Sequence, residues 1–111
     1  SGLLGMTRAL SAEWAARGVR VNAIAPGYFR TEMTEVFYRD QAWTDAMLAR
    51  IPQRLCGQER DVVGAAVFLS SDASAYVTGQ CIGVDGGYLA AISGTLRPLA
   101  NDRAVTSEAP N

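Results

Sequence analysis

Gly18-Val19-Arg20-Val21-Asn22-Ala23-Ile24-Ala25-Pro26-Gly27 is the stretch on which the reading of this chain turns. Gly18 supplies a helix stop, Val19 to Ala25 is short and rich in β-branched residues, and Pro26-Gly27 ends the run sharply. It is a strand leaving a helix through a tight turn. Upstream, Leu3, Met6, Leu10 and Trp14 recur at helical spacing between Gly2 and Ala16, with Leu4, Ala9, Ala12 and Ala15 widening the stripe. Arg8, Glu13 and Arg17 fall on other faces.

Downstream, Thr31 to Arg50 reads as helical, with Thr31 and Thr34 as candidate N-caps and Glu32 and Glu35 in the first turn. Met33, Phe37, Met47 and Leu48 are its apolar anchors, the pattern loosens at Asp40-Gln41, and Pro52 stops it. Two short helices or a mobile segment are expected. A third helix is predicted over Glu59 to Leu69, where Val62, Val63, Ala66, Val67 and Phe68 give an almost entirely buried surface. Thr78-Gly79 then turns the chain into an apolar strand, Gln80 to Val84, closed by Asp85-Gly86-Gly87. Past Tyr88 the period is lost, and residues 92–111, with Pro98 and Pro110, read as a flexible tail.

The inventory is α/β and incomplete. Both predicted strands follow helices and read as buried, which suits a parallel sheet covered on both faces. Two parallel strands cannot make such a sheet alone. Their neighbours must come from other sequence or from another chain.

Composition narrows the chemistry. At 111 residues there is room for one domain, and 49% hydrophobic with 19% charged residues is globular composition. A formal charge of −1 argues against nucleic-acid and anionic-membrane partners, which want basic patches. No apolar run approaches the roughly 18 residues of a membrane span, and Ser1 to Leu10 lacks a basic leader. A cytoplasmic protein is expected. The chain has no His, which excludes a histidine general base, a Ser-His-Asp triad and histidine metal sites. All ten basic residues are Arg, which does not readily give up its proton near neutral pH. Cys56 and Cys81 stand alone and are expected to be small buried apolar residues, with neither a disulfide framework nor a metal site.

Four collinear blocks carry a family likeness: Ser1 to Leu10, Gly18 to Gly27, Val77-Thr78-Gly79-Gln80 and Val84-Asp85-Gly86-Gly87. Residues 1–91 resemble the second half of short-chain dehydrogenases/reductases. The resemblance implies the C-terminal part of a doubly wound Rossmann-type sheet. It also implies that the catalytic Asn, Ser and Tyr-x-x-x-Lys positions lie before Ser1, so that no catalytic residue is present. The isolated 111 residues are then expected to be inactive, because with no Lys none of the four tyrosines has one to lower its pKa.

By the same resemblance, Pro26, Gly27, Tyr28, Phe29 and Thr31 belong to the loop that closes over the nicotinamide of NAD or NADP. Gly27 would let backbone approach a flat ring, Phe29 would offer its backbone to the carboxamide, and Thr31 its hydroxyl to carboxamide or pyrophosphate. A turn and an N-cap without ligand is the plainer alternative. Residues from about 31 to 50 correspond to a substrate lid, with Arg30, Met33, Phe37 and Trp43 as its candidate contacts. An interrupted period with few neighbours of its own makes that lid the expected least-ordered part before the tail. Arg30, Arg39 and Arg50 are candidates for an anionic substrate or simply solvated charges.

Helix residues Gly5, Ala9 and Glu13, and the third helix with Ile82 and Val84, correspond to family interfaces, implying a homotetramer. The lid and third-helix sequences look most like gluconate 5-dehydrogenases, with 3-oxoacyl-carrier-protein reductases second. The implied reaction interconverts a secondary alcohol and a ketone. A reading of another class is a non-catalytic truncated or complementing fragment.

Overall fold

The computed structural model describes residues 2–92. Their order is helix α1 (Gly2–Trp14), a 3-10 turn (Ala15–Arg17), strand β1 (Ala23–Pro26), helices α2 (Glu35–Tyr38), α3 (Gln41–Ala49) and α4 (Glu59–Ser70), a second 3-10 turn (Asp72–Ser74), strand β2 (Cys81–Val84) and helix α5 (Tyr88–Ile92). The chain is α/β, and its two described strands pair in parallel from Ala23↔Cys81 to Pro26↔Val84. The tail expectation lies outside the described residues from 93 onward; Ile92 closes α5.

Gly18 ends the first helical segment in the left-handed conformation, φ 82°, and its amide returns to Ala15 O. The strand that follows is shorter than expected. Arg20 to Asn22 are drawn away from strand pairing by the loop before β2. Arg20 donates to Ser74 Oγ at 2.8 Å and to Ser71 O at 3.2 Å. Val21 N–H goes to Thr78 Oγ1, and Asn22 bonds Val77 O and the Gln80 amide. These side-chain partners satisfy backbone that the β-branched run assigns to a ladder. Regular pairing begins only at Ala23.

Burial departs from expectation in one consistent direction. The strands are half-covered or exposed, not buried. No residue of α4 is buried, and Val63, Val67 and Phe68 are 56%, 61% and 41% exposed where an almost fully covered surface is predicted. On α1 the buried residues are Thr7 and Ser11, while Leu3 and Met6 stand open. Ser11 Oγ meets Thr78 Oγ1 at 2.8 Å, so the small polar side of the helix packs on the loop entering β2. Cys81 is exposed and Cys56 half-buried, against the expectation of two buried thiols. The shared cause is a sheet of two strands, too narrow to cover the helices it would normally seat.

The buried apolar cluster sits elsewhere. Tyr38, Met47 and Ile51 form it, with Tyr28, Leu48, Cys56 and Tyr88 packed around them. Its centre is the segment between β1 and α4, which contains the predicted lid of about residues 31–50. Far from having few neighbours, that segment holds the core of the described residues.

Candidate cofactor loop and lid

Between β1 and α4 the chain leaves the sheet, makes a closed excursion and returns. The mouth of the excursion is stitched by backbone. Gly57 N donates to Tyr28 O at 2.9 Å and Arg30 N to Gly57 O at 3.3 Å, making a parallel bridge between Phe29 and Gly57. A Cβ at 57 would lie 2.5 Å from the Phe29 ring, so any other residue there requires that ring to move. The bridge uses the carbonyl before Phe29 and the amide after it, leaving Phe29's own amide out of the pairing.

Within the excursion the helical region splits at Arg39-Asp40, as the loosened pattern suggests. The capping differs. Thr34 occupies the N-cap position of α2 without a side-chain capping bond. Asp40 caps α3 by accepting from the Trp43 amide at 3.1 Å. Thr31 lies four residues before α2 begins, which removes the helix-end argument for an anion beside it. Its amide donates to Thr34 Oγ1 at 2.9 Å, and the two hydroxyls lie 3.2 Å apart. The far end of the excursion docks on the turn after β2, where Gln53 N donates to Gly86 O at 3.1 Å.

A cleft of about 680 Å3 opens between the loop after β1, the two lid helices and the start of α4. Of the nine predicted site residues it gathers seven: Pro26, Gly27, Tyr28, Phe29, Thr31, Phe37 and Trp43. Thr34, Tyr38, Glu59, Val62 and Val63, none of them among the predicted site residues, complete the lining. Phe37 and Trp43 face each other with ring centroids 5.8 Å apart, and Tyr38 meets Trp43 edge-on at 5.2 Å. The only charged group on the lining is Glu59.

Two predicted lid residues fall outside the cleft. Met33 is 88% exposed. Arg30 forms a fork with Glu35, at 2.8 and 2.6 Å, and its guanidinium lies 5.3 Å from the Tyr38 ring centroid. The pairing raises the Arg30 pKa and lowers that of Glu35, in both cases chiefly through the mutual hydrogen bonds. Arg30 is thus already engaged with a carboxylate of its own chain. The spacing of five between Arg30 and Glu35 was visible, but no helical rule connects those positions.

Gly27 has a different reason to be glycine than ligand approach. A Cβ there would stand 2.7 Å from Asp85 Cβ and 2.9 Å from Asp85 Cα, so the turn after β2 fills that side. Tyr28 meets Tyr88 edge-on at 5.4 Å, tying the loop to α5, and their hydrogen bond raises the Tyr88 pKa. Burial, followed by the neighbouring Cys56 thiol, pushes Tyr38 up to about 12, so this phenol stays a donor across the ordinary pH range. Among the described residues no group of three His, Cys, Asp or Glu could hold a metal, and no helix is long and apolar enough to cross a membrane.

The comparisons decide the family. A family model described as enoyl-(acyl carrier protein) reductase matches residues 1–89. The chain belongs to the short-chain dehydrogenase/reductase family. It is 51% identical over 83 residues to galactitol 2-dehydrogenase (L-tagatose-forming) of Cereibacter sphaeroides, covering 75% of this chain and 33% of that protein. Gluconate 5-dehydrogenase of Gluconobacter oxydans is 48% identical over 82 residues, covering 74% and 32%. A crystal structure of a putative 2-deoxy-D-gluconate 3-dehydrogenase from Agrobacterium tumefaciens with bound NADP superposes with a TM-score of 0.76 at 53% identity, covering 80% of this chain and 36% of that one. The chain therefore spans about a third of the length of these relatives. The two narrow strands are part of a Rossmann-type sheet.

Proposed function

We propose that this chain is part of an NAD(P)-dependent oxidoreductase, carrying its nicotinamide loop and substrate lid, that interconverts a secondary alcohol and a ketone on a polyol or sugar acid, such as gluconate and 5-ketogluconate. The cleft carries this reading: it brings the loop Pro26 to Phe29, Thr31 and the lid aromatics Phe37 and Trp43 to one cavity. Their chemistry fits a nicotinamide. Flat aromatic walls, an amide outside the Phe29–Gly57 bridge and an exposed threonine hydroxyl match a planar ring bearing a carboxamide. The relatives named for galactitol and gluconate support the substrate class.

In this reading the bound nicotinamide supplies the hydride chemistry. Phe29 donates its amide to the carboxamide, Thr31 adds its hydroxyl, and Phe37 and Trp43 shield the ring from water. Catalytic proton transfer belongs to residues outside these 111, which contain no Lys, so the chain on its own is inactive. The bare apolar residues of α1 and α4 favour burial against the rest of the domain and against further copies, as a tetramer. The absence of Lys also keeps a non-catalytic, complementing fragment as the second reading.

The deciding assay uses the complete enzyme carrying this segment, mixed with NAD or NADP and gluconate or galactitol, and with NADH or NADPH and a 3-oxoacyl-carrier-protein thioester. Reduced or oxidised cofactor is followed by absorbance. Turnover of gluconate or galactitol is expected. Turnover of the thioester alone would replace the substrate class, and no turnover with any of them would favour the fragment reading.

A further inference from the structure

Two peptide planes flank Phe29, and their polar groups are nearly all engaged. Tyr28 O accepts from Gly57 N at 2.9 Å, and Arg30 N donates to Gly57 O at 3.3 Å. Phe29 O accepts twice, from Thr34 Oγ1 at 3.0 Å and from Tyr38 OH at 3.3 Å. A carbonyl oxygen has two lone pairs, so these hydroxyls fill it. The group that takes no part in any of these bonds is the amide of Phe29.

The two hydroxyls come from one place. Thr34 and Tyr38 are four residues apart across α2, so a single turn delivers both to the same atom. The same turn is tied to the neighbouring residue, since Glu35 holds Arg30 by its fork and Arg30 lies over the Tyr38 ring. Tyr38 is 7% exposed and packed in the buried cluster, so its hydroxyl is placed by the lid's core and not by solvent.

We propose that Tyr38 is a positioning residue for nicotinamide binding, acting through Phe29: its hydroxyl, with that of Thr34, occupies the Phe29 carbonyl, fixes the peptide plane and leaves the Phe29 amide as the loop's donor to the carboxamide oxygen. This rests on the nicotinamide reading above. It makes the lid and the cofactor loop one mechanical unit, because the Tyr38 that aligns Phe29 also meets Trp43 on the cleft wall.

The test uses the complete enzyme, Tyr38→Phe and Thr34→Val, with two readouts. The first is the carbonyl 13C shift of Phe29 without cofactor, which moves upfield in Tyr38→Phe if the hydrogen bond is lost. The second is fluorescence titration with NADH and NADPH. A lost neutral hydrogen bond corresponds to a roughly two- to ten-fold rise in Kd, with cofactor KM rising more than substrate KM. Thr34→Val moves both readouts the same way. An unmoved carbonyl shift in both variants overturns the proposal by removing the bond. A moved shift with unchanged Kd overturns it by making the bond merely structural. Wild-type enzyme that binds neither cofactor overturns the nicotinamide reading and the proposal with it, an outcome separable because it appears before any substitution.

Discussion

The excursion from residue 28 to 57 and the sheet that carries it are built on opposite terms. The excursion is the part that family likeness marks as a movable lid, yet it buries Tyr38, Met47 and Ile51 and stitches its own ends together at Gly57. The sheet is the part that should be rigid, yet α1 and α4 expose Leu3, Met6, Val63 and Val67 beside it. A Rossmann-type sheet obtains its rigidity from neighbours on both sides, whereas this lid obtains much of its own from within. The predicted lid is thus a packed body closed at its mouth.

The sharpest test sets Ile51 against Val67. Ile51 is 1% exposed, and Ile51→Ala is expected to cost about 2–5 kcal/mol of local stability. Val67 is 61% exposed, and Val67→Ala in the same 111-residue chain is expected to stay within about 0.5 kcal/mol. Hydrogen exchange across residues 38–51 reads the difference. Equal protection in the two variants would break the contrast between lid and sheet.

A smaller effect comes from the joint between the regions. Gly27→Val drives a branched side chain into Asp85 and is expected to cost about 1–3 kcal/mol in the complete enzyme without cofactor. Thermal unfolding measures it. A variant that melts like the wild type but binds cofactor poorly would return Gly27 to the ligand-approach role and sever it from β2.

The smallest effect is electrostatic. The Arg30 fork lowers the Glu35 pKa, so the pair contributes stability above the ordinary carboxylate pKa and loses it as pH falls through the depressed value. Both side chains are exposed, so the contribution is slight. Melting temperatures of wild type and Glu35→Gln are expected to differ a little at neutral pH and to converge in acid. A difference that persists undiminished at low pH would assign the effect to packing.

Much of this was legible from residues alone. Gly18 stops a helical segment, the lid breaks at Arg39-Asp40, and Asp85-Gly86-Gly87 closes β2, because each depends on local backbone chemistry. Burial was not legible, since alternating or apolar patterns announce what a surface needs and not what lies against it. Val63 and Val67 are written for a covering that these residues do not supply. The strand start at Ala23 was hidden because Arg20, Val21 and Asn22 find partners fifty or more residues away. In the site, the Pro26-Gly27 turn was legible from the residues but its place in a cleft came only with the family resemblance, whereas the Tyr38 and Glu35 contacts were hidden because their partners Phe29 and Arg30 sit at spacings no helix repeats.

The bridge between Phe29 and Gly57 gives the lid a fixed doorway. Two backbone hydrogen bonds hold that doorway, and two hydroxyls from α2 brace the Phe29 carbonyl beside it. Closing a longer loop costs little more than closing a shorter one, about 0.6 kcal/mol for each doubling. Change of length and composition to suit a new substrate is therefore cheapest in the part of the lid beyond α2, whose Thr34 and Tyr38 hydroxyls hold the Phe29 carbonyl.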